Sequence, residues 1–133
     1  MIGIDTNILV RYLTRDDPAQ LVMVDRALED AAHAGDKLLV NPIVLCELVW
    51  VLETAYRYGR DEIATVLERI LCTSDFEIPE RDALRLALEA YRRDRGDFAD
   101  YCIGRLNHRA GAEYTLTFDQ HLKTAKDFRV LKP

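Results

Sequence analysis

Serine is almost missing from this chain, and its scarcity removes one class of chemistry at the outset. The one serine, Ser74, lies in LCTSDF, outside the strand-turn-helix elbow that a serine nucleophile needs, so a Ser-His-Asp hydrolase is excluded. Neither G-x-x-x-x-G-K-S/T nor G-x-G-x-x-G occurs, which takes away the usual signature of nucleotide-cofactor enzymes. Cysteine is scarce, odd in number and dispersed. Cys46, Cys72 and Cys102 form no C-x-x-C, so neither a disulfide framework nor a thiolate metal site is indicated, and the three read as buried apolar fillers. His33, His108 and His121 are equally scattered and favour no zinc site. No apolar run approaches the length of a membrane span, and MIGIDTNILV lacks the basic start and cleavage site of a signal peptide. A cytoplasmic chain without membrane association is the expectation.

What is present suits one compact domain over residues 1–133, because 49% hydrophobic and 31% charged residues supply both a core and a solvated surface. There is no Gly/Ser linker, low-complexity run or fixed-period repeat. MIGI (1–4) reads as a short buried strand. KLLV (37–40), FEI (76–78), YTL (114–116) and RVL (129–131) read similarly, separated by longer helical patterns. This alternation predicts an α/β fold of three layers, α/β/α, with a central parallel sheet of about five strands flanked by helices. Helices fit residues 18–33, 60–73, 80–94 and 98–110. A further one starts at Asn41-Pro42, carries Leu45, Leu48, Val49, Leu52 and Tyr56 on one face and ends near Gly59.

The acids draw attention because ligands of open parallel sheets gather at the carboxyl ends of strands. Asp5 follows the first strand and Asp119 follows Tyr114 to Phe118. Each alone reads more readily as a turn or N-cap residue than as a ligand. Glu47 sits in IVLCELVWVL, a helix apolar almost all round, where an ionised carboxylate costs several kcal/mol unless compensated. A salt bridge to arginine and a metal role both remain open there. Glu53 reads as solvated. In GDFADYCIG, Asp97 reads as the helix cap and Asp100 as an acid answering the helix dipole. Ala99, Ile103, Leu106 and Ala110 define a core-facing stripe that Asp100 borders, with Asp97 one turn earlier on the same flank.

Taken in order, MIGIDTNILV, LCELVWVL, DFADYCIG and TLTFD resemble the PIN-domain ribonucleases, specifically VapC-type toxins, over nearly the whole chain. The resemblance implies that Asp5, Glu47, Asp100 and Asp119 form an acidic quartet holding Mg²⁺ or Mn²⁺, with Asp97 an accessory acid. It places Thr6, Asn7 and Thr117 as polar supports of the carboxylates. It implies hydrolysis of RNA phosphodiester bonds by metal-activated water, leaving 5′-phosphate and 3′-hydroxyl ends. It further implies a homodimer neutralised in a hetero-oligomer with a small VapB-type antitoxin. Independently, converging carboxylates cannot all stay ionised without compensating positive charge, and oxygen donors suit a hard divalent cation.

Two other readings of the acids stand beside this one. A phosphoacceptor receiver-like module also places acids at strand ends around Mg²⁺, and a noncatalytic interaction domain would use them only as caps. The formal charge of −5 argues against nonspecific clinging to nucleic acid but leaves room for a local basic rim. Arg92, Arg93, Arg95, Arg105 and Arg109 flank the Asp97 and Asp100 segment, where they suit phosphate contact or a merely solvated face. Tyr12, Phe98 and Tyr101 suit base stacking or packing alike. Leu21, Val22, Val24 and Leu28, with the stretch Trp50 to Tyr58, offer a partner groove or ordinary core.

Overall fold

In the computed structural model, which describes residues 1–132, strands and helices alternate. β1 (Ile2–Gly3) is followed by α1 (Thr6–Thr14) and α2 (Pro18–His33), then β2 (Leu38–Leu39), α3 (Pro42–Thr54), α4 (Arg60–Cys72), β3 (Phe76–Glu77) and α5 (Arg81–Arg93). α6 (Phe98–Arg109), β4 (Thr115–Thr117), a 3₁₀ turn (Gln120–Leu122) and β5 (Phe128–Val130) complete it. The α/β class and the parallel strands agree with the sequence reading. The hydrogen-bonded ladders, however, form two sheets: β1-β2-β3 in that order, and β4-β5. In register, Ile2 faces Leu38, Leu38 faces Phe76, and Thr115 faces Phe128. Strands of two or three residues close few ladder bonds, so the helices carry most of the packing.

Local chemistry sets the helix starts. Asp17 accepts from the Gln20 amide before Pro18, and Asn41 accepts from the Ile43 amide before Pro42, each pairing a polar cap with a proline whose missing N–H costs nothing there. At Gly59 the backbone N–H is taken by Glu62 Oε1 at 3.1 Å. Gly59 therefore starts α4 rather than closing α3, which ends at Thr54 with Arg57 in the left-handed region (φ 55°) just beyond. Gly111 (φ 103°) follows α6, a conformation that suits a residue without a side chain. Helix α1 has no counterpart in the sequence reading; Asp5, taken there as a strand-end acid, caps it.

The core joins Leu45, Leu48 and Leu52 of α3 to Ile63, Leu67 and Ile70 of α4, with Leu84 and Tyr91 of α5 and Phe98 of α6. Three expectations are corrected here. MIGI is not a buried strand: Ile2 lies at a sheet edge, 45% exposed. The buried stripe of α6 is Phe98, Tyr101 and Cys102, while Ile103 and Ala110 face solvent. The helix is rotated from the reading because its two aromatics bury more area than the smaller aliphatics. And α3 is not enclosed all round, since Ile43 and Trp50 are exposed.

Candidate functional site

The candidate residues fall into two groups. In the first, the β1–α1 junction places Asp5 as the α1 N-cap, with its Oδ1 accepting the Ile8 amide at 3.3 Å. The next residue, Thr6, is buried and donates its hydroxyl to Glu47 Oε1 at 3.1 Å. Glu47 thus sits exposed on α3 with a hydroxyl partner, on the flank that it shares with the exposed Ile43 and Trp50. The burial cost expected from the apolar helix therefore does not arise, because Glu47 faces solvent, and among the described residues no arginine pairs with it. Asn7 is exposed and, among the described residues, its side chain makes no comparable bond.

The second half comes from the N-terminus of α6 and the carboxyl end of β4. Asp97 occupies the N-cap position of α6, yet its side chain makes no capping bond, so its carboxylate is not used by the helix. Asp100, one turn on, has its pKa raised by burial first and then by the charges of Asp97 and Asp119, with the Asp97 backbone amide opposing. Asp119 follows β4. Its Oδ1 accepts from the His121 amide at 2.9 Å, and its own backbone N–H donates to Thr117 Oγ1 at 3.1 Å. Asp5 and Asp119 are therefore caps, as the simpler reading has it. Each cap engages Oδ1, and a second oxygen remains for a ligand.

Helices α3 and α6, which carry Glu47 and Asp100 respectively, pack together. Cys46, beside Glu47, and Cys102, two residues beyond Asp100, are neighbours: the Cys102 thiol draws the Cys46 pKa down, and the Cys46 thiol, with burial, pushes that of Cys102 up. Cys102 is the buried filler expected; Cys46 is half-buried and Cys72 exposed, against expectation. Cys72 ends α4 at the surface, where no core wall covers it.

Several residues here were unforeseen. Arg60 donates through Nη2 to the carbonyls of Tyr91 (2.7 Å), Asp94 (3.0 Å) and Gly96 (2.9 Å), and its guanidinium lies 3.9 Å from the Tyr91 ring centroid. Those carbonyls belong to the α5 end and the turn that delivers Asp97. From the other side, the Gly96 amide donates to the Tyr101 hydroxyl at 2.8 Å. Glu53 is not the solvated residue expected. Burial, then Asp97, raises its pKa, with Arg60 opposing. The buried Tyr91 hydroxyl makes no well-formed hydrogen bond but is close enough to couple to Glu53. No sequence signal marks Glu53, because its neighbours come from three other segments.

The arginines are not brought together as a group. Arg92 pairs with Glu68, Arg109 with Glu80, and Arg105 with Asp127 in a pair only 13% exposed on either side. Phe98 and Tyr101 are buried and closed to base stacking, whereas Tyr12 is 40% exposed. A cleft of about 550 Å³ opens at the amino ends of β2 and β3, lined in part by Asp36, Ser74 and Phe76, and holds none of the site acids. Among the described residues, no three Asp, Glu, His or Cys side chains are gathered closely enough to form a finished metal cage, and no helix is long and apolar enough to cross a membrane.

The donor set nonetheless fits a hard divalent cation. It offers oxygen only, and Asp100 sits in the field of two like charges that a cation would relieve. One relative of the chain is the VapC ribonuclease of Aquifex aeolicus (strain VF5), 26% identical over 130 residues, spanning 98% of this chain and 95% of the relative. The PIN domain model matches residues 2–127, a span that holds Asp5, Glu47, Asp97, Asp100 and Asp119. With that match running from β1 to the threshold of β5, the chain belongs to the PIN-domain family.

Proposed function

We propose that this protein is a Mg²⁺- or Mn²⁺-dependent endoribonuclease, the toxin of a VapBC-type toxin–antitoxin pair. The observation that carries the reading is the arrangement at the α6 N-terminus, where Asp97 stands at the N-cap without a capping bond and Asp100 lies one turn on, with Asp119 near enough to act on it. A structural cap has no use for such mutual repulsion; a cation site does. Family membership and the name of the Aquifex relative point the same way.

Asp5, Asp100 and Asp119 would hold the cation, with Glu47 and Asp97 at its margin. When bound, it supplies the positive charge that makes water a competent nucleophile at neutral pH and neutralises the phosphodiester. The chain's own residues prepare that ground. Thr6 fixes one Glu47 oxygen, Thr117 fixes the Asp119 backbone, and Arg60 and Tyr101 hold the turn before Asp97. Cytoplasmic location, a homodimer and a VapB-type antitoxin whose arginine opposes the acids by bidentate contact belong to the same proposal.

The receiver-like alternative loses ground on topology. Receivers run 2-1-3-4-5, with β1 between β2 and β3, whereas here β2 lies between β1 and β3. The test is cleavage of end-labelled RNA with Mg²⁺ or Mn²⁺, with and without EDTA. Cleavage that EDTA abolishes and excess Mn²⁺ restores is the expected result. Undiminished cleavage in EDTA overturns the metal mechanism, and absence of any cleavage by well-folded, metal-loaded protein overturns the nuclease reading.

A further inference from the structure

The turn that delivers Asp97 and the turn that begins at Asp119 lie against each other. A Cβ placed on Gly96 would sit 2.7 Å from Leu122 Cδ2, and Leu122 is completely buried. Beside this junction is a cleft of about 480 Å³ faced by Arg93, Arg95, His121 and Lys123, with Asp94 the one acid in its lining. His121, whose Nδ1 is 3.2 Å from Asp119 Oδ1, joins the cleft to the acids.

The positive charge here is largely unspent. Arg93 reaches only 3.6 Å from Asp94, and its side chain stays 69% exposed. Arg95 and Lys123 are exposed and make no ion pair among the described residues. Arg92, Arg105 and Arg109, by contrast, are each matched to a carboxylate. On a chain of formal charge −5, a polyanionic substrate needs a local landing place, and phosphate contacts by lysine and arginine fix register without reading bases.

We propose that this cleft is the docking site for the RNA backbone beside the scissile bond, with Arg95 and Lys123 each holding a phosphate and Arg93 at the rim. The assignment rests on the nuclease reading above. Single-stranded phosphate contacts carry a salt dependence of about 0.7 per contact in the slope of log K against log salt, so the cleft has its own signature, separate from the chemistry.

The experiment compares R95A/K123A with K37A, which removes one charge at the amino end of β2, the opposite end of its sheet from the acids. A fluorescein-labelled mixed-sequence RNA of about 20 nucleotides is titrated by anisotropy at several KCl concentrations in the cleavage-blocked D100N background. KM and kcat are measured in the unblocked one, and Mn²⁺ binding by calorimetry. For R95A/K123A, Kd and KM rise roughly tenfold at moderate salt and the salt slope flattens by about 1.4. Its kcat stays within about twofold, and Mn²⁺ binding is unchanged. R95A/K123A behaving like K37A in Kd, KM and slope overturns the assignment, including the case in which it loses only binding to an acidic protein partner. Unaltered protein that cleaves no RNA removes the nuclease reading and this assignment with it. Cleavage by unaltered protein with no difference between the variants removes the assignment alone.

Discussion

The two halves of the acidic site are built on opposite electrostatic terms. Around Glu47, the carboxylate is met by a neutral donor, the buried Thr6 hydroxyl. Around Asp100, the neighbours are Asp97 and Asp119, both of the same sign. The first half is satisfied as it stands and the second is frustrated. A fold that carries such an imbalance loses stability for it, and like charges kept together at one place support the proposed role of that half.

The sharpest way to break the comparison is to neutralise the frustrated half. D100N should lower RNA cleavage by about 10³-fold, the scale at which loss of one well-placed electrostatic group is felt, while raising the melting temperature in EDTA. The sign follows from linkage. A native Asp100 carboxyl titrating above its unfolded value makes the folded state hold its proton longer. Stability therefore falls as pH rises from the ordinary aspartate range through the raised value, and the penalty stays in full above it. A scan of melting temperature against pH should accordingly show a loss over that interval in the unaltered protein and a flatter profile in D100N. Equal profiles would mean that the like-charge crowding is not felt.

Next in size is R60M, which strips three carbonyls of their shared donor. Urea unfolding should register a loss of about 3 kcal/mol, with R60K recovering part of it. G96A follows, because its new Cβ would meet both Tyr101 Oη and Leu122 Cδ2 at 2.7 Å. Overpacking of this kind costs about 1–3 kcal/mol, and cleavage should fall with it as the Asp97 turn is displaced. Smallest is T6V in the satisfied half. It should cost about 1 kcal/mol of stability by the same unfolding measurement and weaken Mn²⁺ binding, read by calorimetry, about tenfold. An effect of T6V on cleavage as large as that of D100N would reverse the ranking of the two halves.

Capped helices were the most legible part of the sequence. Asp17-Pro18 and Asn41-Pro42 announce α2 and α3 because cap and proline act locally. Helix α1 escaped because a cap reading of Asp5 fits a turn as well as a helix start, and TNILVRYLT carries no proline or acid in its first turn to decide between them. The orientation of α6 was misjudged for a related reason: an Ala/Ile/Leu stripe at helical spacing competes with Phe98 and Tyr101, and only packing against the neighbouring helices decides between them. Of the site, the acids on strand ends and on the α6 N-terminus could be named from one sequence. Glu53, Arg60 and the Gly96–Tyr101 bond could not, since each depends on segments thirty or more residues apart, or on a turn shape that no local pattern encodes.

The lacing of the α5–α6 turn by Arg60 and Tyr101 bears on how the molecule waits for its ligands. A segment already pinned from two sides surrenders little chain freedom when something arrives, so the entropy of ordering it is spent during folding instead of during association. On the proposed function, the carboxylates it carries stand ready at their stations beforehand, and capture of a cation would ask only for adjustment of side chains.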